Sequence, residues 1–190
     1  MGDIPFPNKR YNVIYADPPW LYRNKKTGEN MISGAAEKYS IMTLDEICSL
    51  PISEISETDC VLFLWATTPL KIEAFEVLKK WEFTYKTTVY WRKIMSLGMG
   101  YWFRGQIEEL LVAIKGKVKA FHLQESNFIQ CKVLSHSEKP EEFRQLIERA
   151  TSKISFNKRI ELFARKRVDG WDGWGNEIDG TLYGANVRSL

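Results

Sequence analysis

The sequence has few of the residues that build metal centres or disulfide frameworks. Its 190 residues include 3 cysteines and 2 histidines. Cys48, Cys60 and Cys131 are widely separated, with no CxxC pair, and His122 and His136 lack the spacing of a helical metal site. We therefore expect neither a metal site nor a disulfide-stapled secreted domain.

Long apolar runs and a strong charge of one sign are also lacking. No stretch approaches the length of a membrane span, and the start, MGDIPFPNKR, has no apolar signal core. These absences predict a cytoplasmic protein without a membrane segment. A net charge of +3 is too small to indicate nucleic-acid binding by itself, because that inference depends on local clusters of basic residues.

Apolar and aromatic residues are abundant, at 44% and 13% of the chain. This content and length predict one domain over residues 1–190 with a sizeable core. Short apolar runs predict strands at 11–16, 59–66, 83–91, 107–116, 127–135 and 159–166, and amphipathic patterns predict helices at 43–50, 69–81 and 139–150. Residues 21–40 and 168–180 are predicted loops. The strand at 159–166 is expected to close the sheet.

Alternating strands and helices predict an α/β sandwich with a mostly parallel sheet. Ligands of such sheets bind beyond the carboxyl ends of the strands. The first predicted strand ends at one unusual turn, VIYADPPW, in which Asp17 is followed by Pro18, Pro19 and Trp20. The candidate site therefore begins at this turn.

The turn has the features of a receptor for an aromatic amine. Two prolines fix the backbone, so that the Asp17 carboxylate and the Pro18 carbonyl can point as two acceptors in one direction. Two acceptors suit an NH2 group such as that of adenine, and they favour the positive charge that develops when this amine attacks an electrophile. Trp20, or another nearby aromatic residue such as Tyr22 or Tyr39, offers a surface for stacking a base. The structural alternative is an ordinary Asp-Pro turn beside a core tryptophan.

Several stretches together resemble one family. They are ADPPW, KYSIMTLDEI, VLFLWAT, GYWFRGQIEELLVAIKG, SHSEKPEEFRQLIERA, KRIELFARK and GWDGWGNEIDG. In this order they are similar to the adenine N(6)-methyltransferases named after the seventy-kilodalton subunit of the eukaryotic mRNA enzyme, a family that includes bacterial and phage DNA-adenine relatives. The resemblance runs from about residue 11 to residue 180.

The resemblance implies a fold, a cofactor and site residues. The fold is a Rossmann-like, three-layer methyltransferase sandwich, in which the catalytic motif precedes the main cofactor segments. The methyl donor is S-adenosylmethionine, and the catalytic residues are Asp17, Pro18, Pro19 and Trp20. The implied cofactor-binding residues are Ile14, Asp17, Lys139, Arg165, Arg167, Asn176 and Glu177. Some relatives have histidine at the position of Arg167. Lys139 could instead simply open the following helix, and Asn176 and Glu177 could be plain turn residues.

Basic and aromatic residues near the turn predict the nucleic-acid contact. Arg92, Lys93 and Arg104 bracket the aromatic segment MGYWF. The predicted substrate-binding residues are Tyr22, Arg23, Lys25, Lys26, Tyr39, Trp102 and Arg104. An adenine amine within a duplex is out of reach of such a pocket, so duplex DNA would require base flipping.

The favoured function is methyl transfer to the N(6) amine of adenine in DNA, because the chain lacks the added segments of the eukaryotic mRNA enzymes. Methylation of RNA is the alternative within the same chemistry. A non-catalytic nucleic-acid-binding partner subunit is the alternative from another class, although the intact tetrad favours an enzyme. Methylation of glutamine or of a free base is a further alternative, because related NPPY enzymes use the same pair of acceptors. The resemblance is also compatible with a homodimer.

Overall fold

Seven strands form one sheet in the computed structural model, which describes residues 5–21, 41–94, 102–133, 138–176 and 178. The strands are β1 (Tyr11–Ala16), β2 (Ser56–Thr67), β3 (Thr84–Ile94), β4 (Ile107–Lys115), β5 (Phe128–Lys132), β6 (Arg159–Leu162) and β7 (Asp172–Trp174). The helices are α1 (Leu44–Cys48), α2 (Ile52–Ile55), α3 (Lys71–Lys80) and α4 (Glu141–Ser152), with a 3-10 turn at Thr68–Leu70. Within these ranges no helix has both the length and the apolar character needed to cross a membrane.

The strand order is β5-β3-β4-β2-β1-β6-β7. Each described neighbour pair is parallel except the two that contain β4, which runs antiparallel to β2 and to β3. This arrangement confirms the predicted α/β fold with a mostly parallel sheet. It also brings the start of β4 to the edge at which the other strands end.

Both faces of the sheet are covered, which produces three layers. Along β1, Val13 and Tyr15 pack on the side of α4, whereas Ile14 and Ala16 pack on the side of α1 and α3. The alternation follows from the period of two along a strand. β2 is apolar on both sides because it lies in the middle of the sheet, and this explains its uninterrupted apolar run.

The carboxyl-terminal part of the sheet differs from the prediction. The segment at 159–166 does not close the sheet, since β6 ends at Leu162 and β7 lies outside it, within a stretch predicted to be loop. Close packing explains two of the glycines that suggested a loop, Gly173 and Gly175. A Cβ at Gly175 would lie 2.2 Å from the Ala164 carbonyl oxygen, so only glycine fits there.

Candidate active site

The DPPW turn lies at the carboxyl end of β1. The strand order switches here, because β2 lies on one side of β1 and β6 on the other. Ala16 is level with Leu64 of β2 on one side and with Leu162 of β6 on the other, and both neighbours run parallel to β1. Asp17 therefore emerges between two strand ends. In open α/β sheets, ligands bind at such a switch point.

Main-chain hydrogen bonds fix the turn. The Trp20 N–H donates to the Pro18 carbonyl at 2.9 Å, which leaves that oxygen one lone pair for another donor. The Met42 N–H donates to the Pro19 carbonyl at 2.9 Å, and the Leu21 N–H donates to the Met42 carbonyl at 3.1 Å. Main-chain hydrogen bonds thus hold the turn from both sides.

Trp20 and a capped helix add to this support. The Trp20 indole Nε1–H donates to the Trp65 carbonyl at 3.3 Å, which ties the ring to the end of β2. Just after Met42, Thr43 and Glu46 form a capping box at the start of α1. The segment that pairs with the turn is therefore anchored by a helix.

Lys139 contacts the Asp17 carboxylate directly. Its Nζ is 2.7 Å from Asp17 Oδ2 and 3.6 Å from Glu108 Oε2, and it is 5.1 Å from the centre of the Trp65 ring. Burial alone would lower the pKa of Lys139, but Asp17 and Glu108 together raise it above its ordinary value. The ammonium therefore stays charged at neutral pH.

Glu108 is a site residue that the sequence analysis did not identify. It is the second residue of the antiparallel strand β4, level with Thr67 of β2, and its Oε1 forms an ion pair with Lys93 near the end of β3. Asp17, Lys139, Glu108 and Lys93 thus form a row of alternating charge along the strand ends. Only the antiparallel direction of β4 brings Glu108 to this edge, and the sequence pattern did not predict that direction.

A buried ionic layer lies beneath the turn, on the side of α4. Arg144 Nη2 is 2.8 Å from Glu161 Oε2, and the Arg144 guanidinium lies over the rings of Tyr15 and Trp171, 5.6 and 5.3 Å from their centres. The Tyr15 hydroxyl accepts a hydrogen bond from Trp65 Nε1 at 2.7 Å. This layer connects α4 to the strands that carry the turn, and the sequence analysis did not predict it.

Burial raises the pKa of Glu161, and Arg144 opposes that shift. The charge of Asp17 contributes in the same direction as burial. Two carboxylates therefore lie near one another at this edge, each with its own cation, Lys139 for Asp17 and Arg144 for Glu161.

The remaining predicted cofactor residues differ in position. Arg165 follows β6 and is near enough to Lys139 for its charge to lower the pKa of that lysine. Arg167 and Asn176 are exposed just beyond β6 and β7. Ile14 is fully buried in the core, so the structure does not bring its side chain to the edge.

The predicted substrate residues are described only in part. Trp102 is 94% exposed, and Arg104 is exposed near it. They directly precede β4, which begins at the same edge of the sheet as the DPPW turn. Tyr22, Arg23, Lys25, Lys26 and Tyr39, together with the cofactor residue Glu177, lie outside the described residues.

Comparison with known proteins identifies the family. The model of the MT-A70 family matches residues 11–177, a range that contains the DPPW turn, Lys139 and Asn176. The chain belongs to the MT-A70 family. This membership confirms the resemblance inferred from the sequence motifs, and the sheet is consistent with the Rossmann-like methyltransferase fold expected of it.

Individual MT-A70 relatives come from bacteria and eukaryotes. The chain is 35% identical over 189 residues to the type II methyltransferase M.MunI of Mycoplasma sp, and the match covers 90% of this chain and 79% of that protein. It is 28% identical over 180 residues to a putative N(6)-adenosine-methyltransferase MT-A70-like of Medicago truncatula, and 26% identical over 192 residues to the N(6)-adenine-specific methyltransferase METTL4 of Mus musculus. The chain spans only 27% and 38% of the length of these two eukaryotic relatives.

Proposed function

We propose that this chain transfers a methyl group from S-adenosylmethionine to the N(6) amine of adenine in DNA. Membership of the MT-A70 family supports an adenine-specific methyltransferase. The observation that carries the proposal is the position of Asp17, which follows a central parallel strand beside the constrained Pro18 carbonyl. DNA is favoured because the bacterial relative, a type II methyltransferase, is matched over most of its length.

The residues of the edge suit the chemical groups of such a donor. S-adenosylmethionine carries a carboxylate, an ammonium group and ribose hydroxyls. Lys139 offers a cation for the carboxylate, Asp17 and Glu161 offer carboxylates near the same point, and Asn176 presents an exposed amide beyond β7. We propose that these residues hold the donor. When bound, it would supply an electrophilic methyl carbon on a sulfonium.

The DPPW turn would activate the acceptor amine. The Asp17 carboxylate and the free lone pair of the Pro18 carbonyl would each accept one N–H of the adenine amine, and this favours a tetrahedral nitrogen whose lone pair can attack. The donor, when bound, would supply the methyl group to this lone pair and would keep the electrons of the broken S–C bond. Asp17 stabilises the positive charge that develops on nitrogen, and the extra proton then passes to solvent.

Exposed aromatic and basic side chains at the same edge of the sheet as the turn fit a nucleic-acid substrate. Trp102 is available to stack on a base, and the exposed Arg92 and Arg104 can attract phosphates. Arg92 also donates a hydrogen bond to Gln130 Oε1 at 3.1 Å, which fixes its direction. A homodimer and a cytoplasmic location stay predictions.

The substrate class is tested with the purified chain, tritiated S-adenosylmethionine, and three polymers of the same base sequence: duplex DNA, single-stranded DNA and RNA. Each product is digested to nucleosides and identified by mass spectrometry. The proposal predicts N(6)-methyldeoxyadenosine from a DNA polymer. Label found only in RNA would replace DNA by RNA as the substrate. No label in any polymer, with donor binding demonstrated, would favour the non-catalytic partner subunit.

A further inference from the structure

Lys139 already bonds one oxygen of the carboxylate that the proposed reaction uses. Its Nζ lies 2.7 Å from Asp17 Oδ2, and the exposed fractions of the two side chains are only 14% and 23%. A charged hydrogen bond of this length uses the carboxylate as an acceptor. While it persists, the adenine amine must compete with an ammonium group for Asp17.

Two further groups hold the ammonium in this position. Glu108 Oε2 is 3.6 Å from Nζ, and the Trp65 ring lies 5.1 Å away, within the range of a cation–π contact. Lys139 thus has anionic or π-electron partners on several sides. If the Lys139 ammonium moved into water, it would lose its attraction to Asp17 and Glu108. Another anion that replaces these partners could move it at a lower cost in free energy.

The donor would bring such an anion. We propose that Lys139 blocks Asp17 in the empty protein and that the carboxylate of S-adenosylmethionine draws the ammonium away, so that donor binding opens the acceptor for the adenine amine. This inference rests on the proposed function. Lysine suits the task because its charge is carried at the end of a flexible four-carbon chain, which can turn without movement of α4.

The exchange of partners predicts energetic coupling between the two ligands. A donor-site ligand should raise the affinity for an adenine amine, and by linkage the amine should raise the affinity for the donor by the same factor. A single displaced ion pair suggests a factor of about 10, within the usual range of such couplings. If Lys139 stayed on Asp17 throughout, the donor-site ligand would not change the affinity for the amine.

The test measures binding of two single-stranded deoxyoligonucleotides that differ in one base. One carries a single adenine, and the other carries unsubstituted purine, which lacks the amine. Affinities are measured with and without saturating S-adenosylhomocysteine, so no methyl transfer occurs. The proteins are the original chain, Lys139→Met, and Lys166→Met as the matched control, since Lys166 is 60% exposed and pairs with Glu138.

The original chain and Lys166→Met should bind both oligonucleotides alike when empty, and the adenine one about ten-fold more tightly with S-adenosylhomocysteine. Lys139→Met should show the amine preference already when empty. That arm remains decisive even if this variant loses S-adenosylhomocysteine, and a melting curve verifies that it folds. Lys139→Met without an amine preference when empty would overturn the block. If neither the original chain with S-adenosylhomocysteine nor Lys139→Met ever prefers adenine, the proposed function itself fails, whereas a preference in Lys139→Met alone would show that the donor does not move the lysine.

Discussion

Substitution of Arg144 by methionine tests the ionic layer under the DPPW turn. Arg144 and Glu161 are 7% and 16% exposed and lie 2.8 Å apart. Methionine keeps an unbranched apolar stem but leaves Glu161 without its cation. Removing one partner of a buried pair costs about 3–5 kcal/mol, and the residual exposure of Glu161 places this pair near the lower figure. For a chain of this size, about 3 kcal/mol lowers Tm by roughly 6–12 °C.

The pH dependence of this loss identifies its cause. Burial raises the pKa of Glu161 above its ordinary value of 4.5 even with Arg144 present, and Arg144→Met should raise it further. A carboxyl group with a raised pKa binds protons more readily in the folded state, so its contribution to the free energy of unfolding increases as pH falls through that pKa toward 4.5. The loss in free energy of unfolding caused by Arg144→Met should therefore become smaller as the pH falls from neutral to 4.5.

Urea unfolding at several pH values measures this effect, with Glu161→Gln and the double variant Arg144→Met/Glu161→Gln alongside. The double variant should be more stable than Arg144→Met alone, because it has no unpaired charge. A deficit that is equal at both ends of the pH range, or a double variant that loses the sum of the two single changes, would refute the pairing argument. The lost contacts to the rings of Tyr15 and Trp171 would then account for the effect.

Three further substitutions have defined outcomes. Gly175→Ala should destabilise the chain severely by the collision described above, whereas Gly105→Ala, with no atom within 4 Å of its Cβ, should not; thermal unfolding compares them. Thr43→Ala removes the capping box and should lower the free energy of unfolding by about 1 kcal/mol in urea, and an unchanged midpoint would contradict a role for the cap. Trp20→Phe loses the hydrogen bond to Trp65 and should cost about 1 kcal/mol, with a lower methylation rate, whereas full activity would show that the indole N–H does not position the turn.

The central part of the fold could be predicted from local sequence patterns. β1 and β2 are continuous apolar runs, and α4 has a clear amphipathic repeat, so periodicity alone located them. β7 escaped prediction because three residues between glycines carry no periodic signal, and its pairing with β6 comes from tertiary packing. The short helix α2 was not predicted either, because no side-chain cap marks its start.

The candidate site divides in the same way. Asp17 and Lys139 lie in recognisable motifs, and the structure brings them into contact across 122 positions of sequence. The sequence pattern gives no such signal for Glu108, Arg144 and Glu161. Each lies in a strand or helix in which a polar residue at that position is ordinary. Their function depends on which strands are neighbours and on the direction of β4, and neither follows from the residues nearby.

The rate of methyl transfer by Asp17→Asn, in a single turnover with saturating S-adenosylmethionine and an adenine-containing DNA, tests the central claim most directly. Asp59→Asn is the matched control, because Asp59 binds the Lys117 N–H at 2.7 Å at the opposite end of β2. The account predicts that Asp17→Asn is slower by about 10²–10³-fold, as for loss of one preorganised group in an active site, and that Asp59→Asn is unchanged. Equal rates for Asp17→Asn and the original chain would contradict the assignment of the DPPW turn as the catalytic centre.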